Sequence, residues 1–258
     1  MTKINPFSLA KESYALLWRN RRMAGAFIVI YVLVYSLVSL VPLYHIVPSS
    51  HVFFKLFTSL LLAPAVVALY QVFLAAPDER NKLYIPHDIG KKTVLLATSL
   101  FVFKIGYWLV CLKLPNFFLQ PVNPTDSAAW RQFSKQMMIV GPASVLIYAY
   151  CVTKVALFFP TMVAGRSYPL RTGCKLTRGN VTRIFMGLTV AVIPVYLLSL
   201  GLAVGPTAFF FIWFSNLNTL PMWLHGMLMM AVNSVFESMP FMVATAGLST
   251  AYKTLTDS

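Results

Sequence analysis

Six long apolar runs, about 23–47, 52–76, 93–112, 137–164, 184–204 and 221–248, decide what this chain can become. A bilayer's hydrocarbon core is about 30 Å thick, and an α-helix crosses it with roughly 20 apolar residues. Each run meets that length, and in lipid the backbone must satisfy its polar groups internally, as a helix does. The expected fold is therefore all-α: a polytopic membrane protein with six transmembrane helices in three hairpins. Short interfacial helices, about 6–20 and 166–182, are expected on its cytoplasmic side.

Composition agrees. The 258 residues are 58% hydrophobic and 11% charged, against about 25% charged in a soluble domain. No hydrophilic stretch is long enough to bury a core of its own, so residues 1–258 are read as one transmembrane domain. The formal net charge of +14 would suggest a polyanion as partner of a soluble protein. Here the cations gather beside the apolar runs, as the orientation rule for cytoplasmic loops requires. No nucleic-acid partner is expected.

The distribution of cations sets the orientation. Segments 1–22, 77–92, 166–183 and 249–258 carry fifteen, whereas the 113–135 connection carries three. Both termini are thus expected in the cytoplasm. Lys3, Lys11, Arg19, Arg21 and Arg22 precede a run longer than a signal peptide's apolar region, so the first span is expected to remain as an anchor. Lys55 lies close enough to the start of the second span to snorkel. Cys111, Cys151 and Cys174 are an odd number spread over two spans and a basic loop, which does not suggest a disulfide framework.

The lead-in PFSLAKESYALLWRN places Phe7, Ala10, Tyr14, Leu17 and Trp18 at helical spacing, with Lys11, Glu12, Ser13 and Arg19 elsewhere on the wheel. An interfacial helix with its aromatic side at the headgroups is the expectation. RSYPLRTGCKLTRGNVTR, after the fourth span, holds five cations and no acid. Arg166, Arg171, Lys175, Arg178 and Arg183 are expected to contact anionic phospholipid headgroups on the cytoplasmic face, at about 1 kcal/mol per cation. Segments 7–25 and 168–187 keep one offset between Lys11 and Arg171, Leu16 and Leu176, and Asn20 and Asn180. That points to a parallel internal duplication rather than an inverted repeat. Gly201 and Gly205 form a small-xxx-small pair suited to close helix approach. The uncharged TAFFFIWFSNLNT after Pro206 is expected along the interface.

PTMVAGRSYPLRTGCKLTRGN, SLAKESYALLWRN and the closing AGLSTAYKTL together resemble a broad group of bacterial six-span proteins. It includes the YciC-type inner-membrane family and the membrane domain beside some glycerophosphodiester phosphodiesterases. The resemblance implies a six-helix bacterial inner-membrane fold with interfacial lead-ins. It implies no reaction, and no catalytic residue carries over.

Chemistry would sit where charge interrupts the spans. Glu237 lies near the middle of the sixth, Lys104 in the third and Lys154 in the fourth. A lone ion at that depth costs a few kcal/mol on insertion scales, so Glu237 is expected to pair with one of the lysines. Asn233 shares the Glu237 face, and Tyr150 lies one turn before Lys154. These five define a candidate buried polar centre, read as a structural ion pair or as a hydrated path. His45, His51 and His225 lack ligand spacing, so no metal site is expected. No Walker loop, nucleophile elbow or dinucleotide fingerprint is present, so neither enzyme activity nor a cofactor is expected. The expected function is a non-enzymatic structural or regulatory component of envelope lipid or protein assembly, with a membrane-protein partner or self-association left open. The alternative is a small transporter or lipid-handling protein using the Lys104, Lys154 and Glu237 set.

Overall fold

A short capped helix opens the chain. Its first turn carries three orphan amides that need acceptors, and the Asn5 side chain takes those of Phe7 at 3.0 Å and Ser8 at 3.4 Å. Pro6 fits the first turn because its missing N–H is not needed there. In the computed structural model this helix, α1, spans Pro6–Arg19. The structure describes residues 3–39, 50–75, 89–107, 143–215 and 222–257, with 109 and 140.

The other helices are α2 (Arg21–Ser39), α3 (Ser50–Leu74) and α4 (Ile89–Tyr107), followed by α5 (143–153). Then come α6 (Phe158–Val163), α7 (Pro169–Thr177), α8 (Val181–Ser215) and α9 (Met222–Thr256). Among the described residues the chain is all helix and turn, with no strand. Among the described residues, four helical stretches are long and apolar enough to cross a membrane: Arg21–Val38, Phe57–Leu74, Ala143–Val163, which runs through α5 and α6, and Val181–Ser199.

Contacts fix how the long helices run. Phe27 of α2 stacks on Phe241 of α9, centroids 5.8 Å apart at 8°, a geometry worth about 0.5–1.5 kcal/mol beyond area burial. The Tyr70 side chain bonds to that of Thr245, and Lys253 donates to the Ala75 carbonyl at 3.2 Å. Hence α3 runs parallel to α9, and α2 antiparallel to it. Leu62, Ala63, Val66, Val67, Leu69 and Phe73 of α3 pack into the core with Met242, Ala246 and Ala251 of α9.

Several expectations change. The α1 helix is not only a surface helix, since one side of it, Leu9, Ala10 and Ser13, is buried where the helix crosses α8 and α9. Gly187 and Gly247 make room, since a Cβ at Gly187 would meet Leu9 at 2.7 Å and one at Gly247 would lie 3.2 Å from Ser13 Oγ. Phe7 and Trp18 stay exposed, and Trp18 carries the Arg21 guanidinium 5.3 Å from its ring centroid. Residues 207–215 are not a separate interfacial segment, because α8 continues unbroken to Ser215. Among the described residues, nothing lies within 4 Å of a Cβ placed at Gly201. The fourth apolar run is broken, since residues 154–157 form turns between α5 and α6. The 113–135 connection and most of the 77–92 loop lie outside the described residues, as do His45 and Cys111.

Candidate functional site

The acid of α9 sits against hydroxyls rather than against a described lysine. Glu237 faces Tyr31 and Tyr35 of α2, near enough for its charge to act on both. Those rings stack with centroids 4.6 Å apart, and Tyr35 bonds to the side chains of Tyr31 and Thr58. Thr58 and Ser59 of α3 are fully buried, with Ser234 and Ser238 of α9 buried beside the acid. Ser238 returns its proton to the Val235 carbonyl at 2.7 Å, as serines in apolar helices commonly do. A polar seam therefore runs between α2, α3 and α9. Asn233, one turn from Glu237, is half-buried, and Glu237 itself is exposed at the protein surface.

Of the two lysines expected beside Glu237, Lys154 stands apart from it. Lys154 is exposed at the turn after α5, and its ammonium lies 5.6 Å from the centroid of Tyr150. Tyr150 meets Phe185 edge-on at 5.6 Å. Thr177, at the end of α7, donates to the Lys154 carbonyl at 2.8 Å, and its own carbonyl accepts the Asn180 amide at 2.9 Å. Lys154 thus stands at the level where α8 begins. Leu188 packs on Gly247, and antiparallel continuation puts Glu237 opposite α8 near residue 197. From Phe185 that is about 18 Å at 1.5 Å per residue. The reason is physical: the bond of Thr177 to its carbonyl sets Lys154 beside the end of α7, a long-range contact that a residue count along the span does not contain. Lys104 is on α4, and its side chain lies outside what the structure describes, as do those of Lys55, His51 and His225.

A second site is the basic end of the bundle. Ile4 donates its amide to Asn180 Oδ1 at 3.1 Å, and its carbonyl accepts from Arg183 at 3.4 Å. Lys92 donates to the Val163 carbonyl at 3.3 Å, closing the end of α6. Such cations complement the partial negative charge of a helix C-terminus. The α6 and α7 helices pack backbone to backbone at Gly173, where a Cβ would meet the Phe158 nitrogen at 2.7 Å. Arg166, Arg171, Lys175 and Arg178 remain exposed, as does Cys174, whereas Arg183 is half-buried and engaged by Ile4. Four of the five expected lipid-facing cations are therefore free of internal structure.

Sequence reasoning passed over Tyr31, Tyr35, Thr58 and Thr177, because a hydroxyl in an apolar run looks like ordinary filling. Asn180 carried a signal, since its offset match to Asn20 marks both as junction residues. Asn20 bonds its side chain to the Leu16 carbonyl at 2.8 Å and ends α1 just as α2 starts. Both asparagines are buried between a short helix and a long one.

The fold and these two sites define an all-helical protein with four helices able to span a membrane. Compared with known protein families, curated proteins and solved structures, the chain shows no match.

Proposed function

We propose that this chain is a six-span protein of a bacterial inner membrane with both termini in the cytoplasm. Its role is non-enzymatic, as a structural or regulatory component of envelope lipid or protein assembly. The observation that carries the reading is the ordered basic end: Asn180 and Arg183 hold Ile4 at the junction of α7 and α8, Lys92 of α4 caps α6, and Lys253 of α9 caps the end of α3. That scaffold holds Arg166, Arg171, Lys175 and Arg178 outward, where they meet the anionic headgroups of the cytoplasmic leaflet. Each cation near such a surface contributes on the order of 1 kcal/mol. A fixed platform loses little further entropy on recruiting lipid, which supports an organising role over a transient one.

Two measurements test this reading. A membrane-impermeant maleimide should label Cys174 in inverted vesicles and leave it unlabelled in intact spheroplasts; the opposite pattern overturns the orientation. Native mass spectrometry of the detergent-extracted protein should show retained anionic phospholipid, and R171Q/K175Q/R178Q should lose most of it. Equal retention by both proteins removes the headgroup partner.

A further inference from the structure

Three long helices carry proline within their length: Pro64 in α3, Pro194 in α8, which has Pro206 three turns further on, and Pro240 in α9. Their sequence positions say nothing of a relation, but the packing does. Leu188 on Gly247 sets the antiparallel register of α8 with α9, and counting on from it brings Pro194 opposite Pro240. The contacts of Lys253 with Ala75 and of Thr245 with Tyr70 set the parallel register of α3, and they bring Pro64 to the same height. Pro64, Pro194 and Pro240 thus occupy one layer across the bundle. Each removes an i to i−4 hydrogen bond, freeing the carbonyls of Leu60, Val190 and Phe236. Sharp helix kinks, above about 20°, occur chiefly at such positions. The α2 helix has no proline anywhere in Arg21–Ser39.

On the basic side of the layer α3 and α9 are closely packed, through residues 62–73 and 242–252. Directly on the other side lie Glu237 and Thr58, both turned to the tyrosines of α2.

We propose that Pro64, Pro194 and Pro240 form a common hinge. About it the far halves of α3, α8 and α9 bend against the proline-free α2, and the interactions of Glu237 with Tyr31 and Tyr35 and of Thr58 with Tyr35 serve as the latch. The near halves stay fixed because their packing and the basic end hold them. The latch groups ride on the bending segments while their partners do not, so movement about the prolines makes or breaks those contacts. A 20° bend displaces a point seven residues beyond the proline by about 4 Å, enough to part a hydrogen bond.

The test is a pair of spin-label distances in full-length protein reconstituted in nanodiscs, with the native cysteines replaced by serine. Leu37 of α2 and Gly201 of α8 report across the layer; both are exposed, and Gly201 has room for a label. Gly25, exposed and with room for a label, and Met186 report on its near side. The Leu37–Gly201 distribution should be the broader of the two, and P64A/P194A/P240A should narrow it to the width of the near-side pair. Y35F should shift it by a few ångströms without changing the near-side pair. Equal widths in the parent protein, or a far-side width that survives the triple substitution, overturn the hinge. Should the triple variant fail to fold, amide exchange of the parent decides: exchange in 231–240 no faster than in 244–253 also overturns it.

Discussion

The amide of Ile4 donates to the side-chain oxygen of Asn180 at 3.1 Å, a bond that joins residues 176 positions apart. It ties the N-terminal segment to the junction of α7 and α8, where the Asn180 carbonyl also accepts the Ile184 amide at 2.8 Å in the first turn of α8. Ile4 is itself buried among the core residues, so its amide has no water to turn to.

Substituting N180A should therefore strand a buried donor and cost about 1–3 kcal/mol. N180D keeps the acceptor and should recover most of that loss. Thermal unfolding in detergent micelles, followed by helical circular dichroism, gives the comparison. Equal midpoints for N180A and the parent would show that the bond does not stabilise the fold.

Three glycines should rank by what their missing Cβ would strike. At Gly173 it meets backbone, Phe158 N at 2.7 Å and the Leu157 carbonyl carbon at 2.9 Å, so G173A must part α6 from α7. Overpacking of this kind costs about 1–3 kcal/mol. At Gly187 the closest atom is Leu9 Cδ2 and at Gly247 it is Leu188 Cδ2, both ends of flexible side chains, so G187A and G247A should cost less. G201A meets nothing and should be neutral or gain about 0.5–1 kcal/mol from helix propensity. Unfolding midpoints of the four variants check the order; G201A falling below G173A would contradict it.

Lys253 reaches the Ala75 carbonyl just past the end of α3. Replacing it by methionine keeps the stem and removes the donor, at about 1–2 kcal/mol. The loss should be local: faster amide exchange in 70–75 with little change in α2. Exchange unchanged in that turn would mean the cap is not formed.

Tyr35 bonds to Tyr31 and to the buried Thr58. Y35F retains the ring stack and removes the hydroxyl, which should cost about 1 kcal/mol. T58V should cost a similar amount, and the double variant less than the sum, since both remove one bond. Additive losses in a double-mutant cycle would show that the two residues do not interact.

Hydropathy is a local property, so the sequence by itself determined that the chain is helical and apolar enough to span a membrane. The spacing of Phe7, Ala10, Tyr14, Leu17 and Trp18 likewise marked α1 as a helix. The matching offset of Asn20 and Asn180 was also legible, because both stand where a short helix yields to a long one. Tertiary structure alone decided which faces meet. The buried side of α1 turned out to be Leu9, Ala10 and Ser13, since Gly187 and Gly247, distant in sequence, open the space that receives it. Lys154 left the mid-span position that a residue count assigned, because Thr177, 23 residues on, binds its carbonyl at the end of α7. Glu237 faced tyrosines rather than a described lysine for the same reason: a partner is chosen by the register of packed helices, and register depends on contacts between residues far apart in the chain.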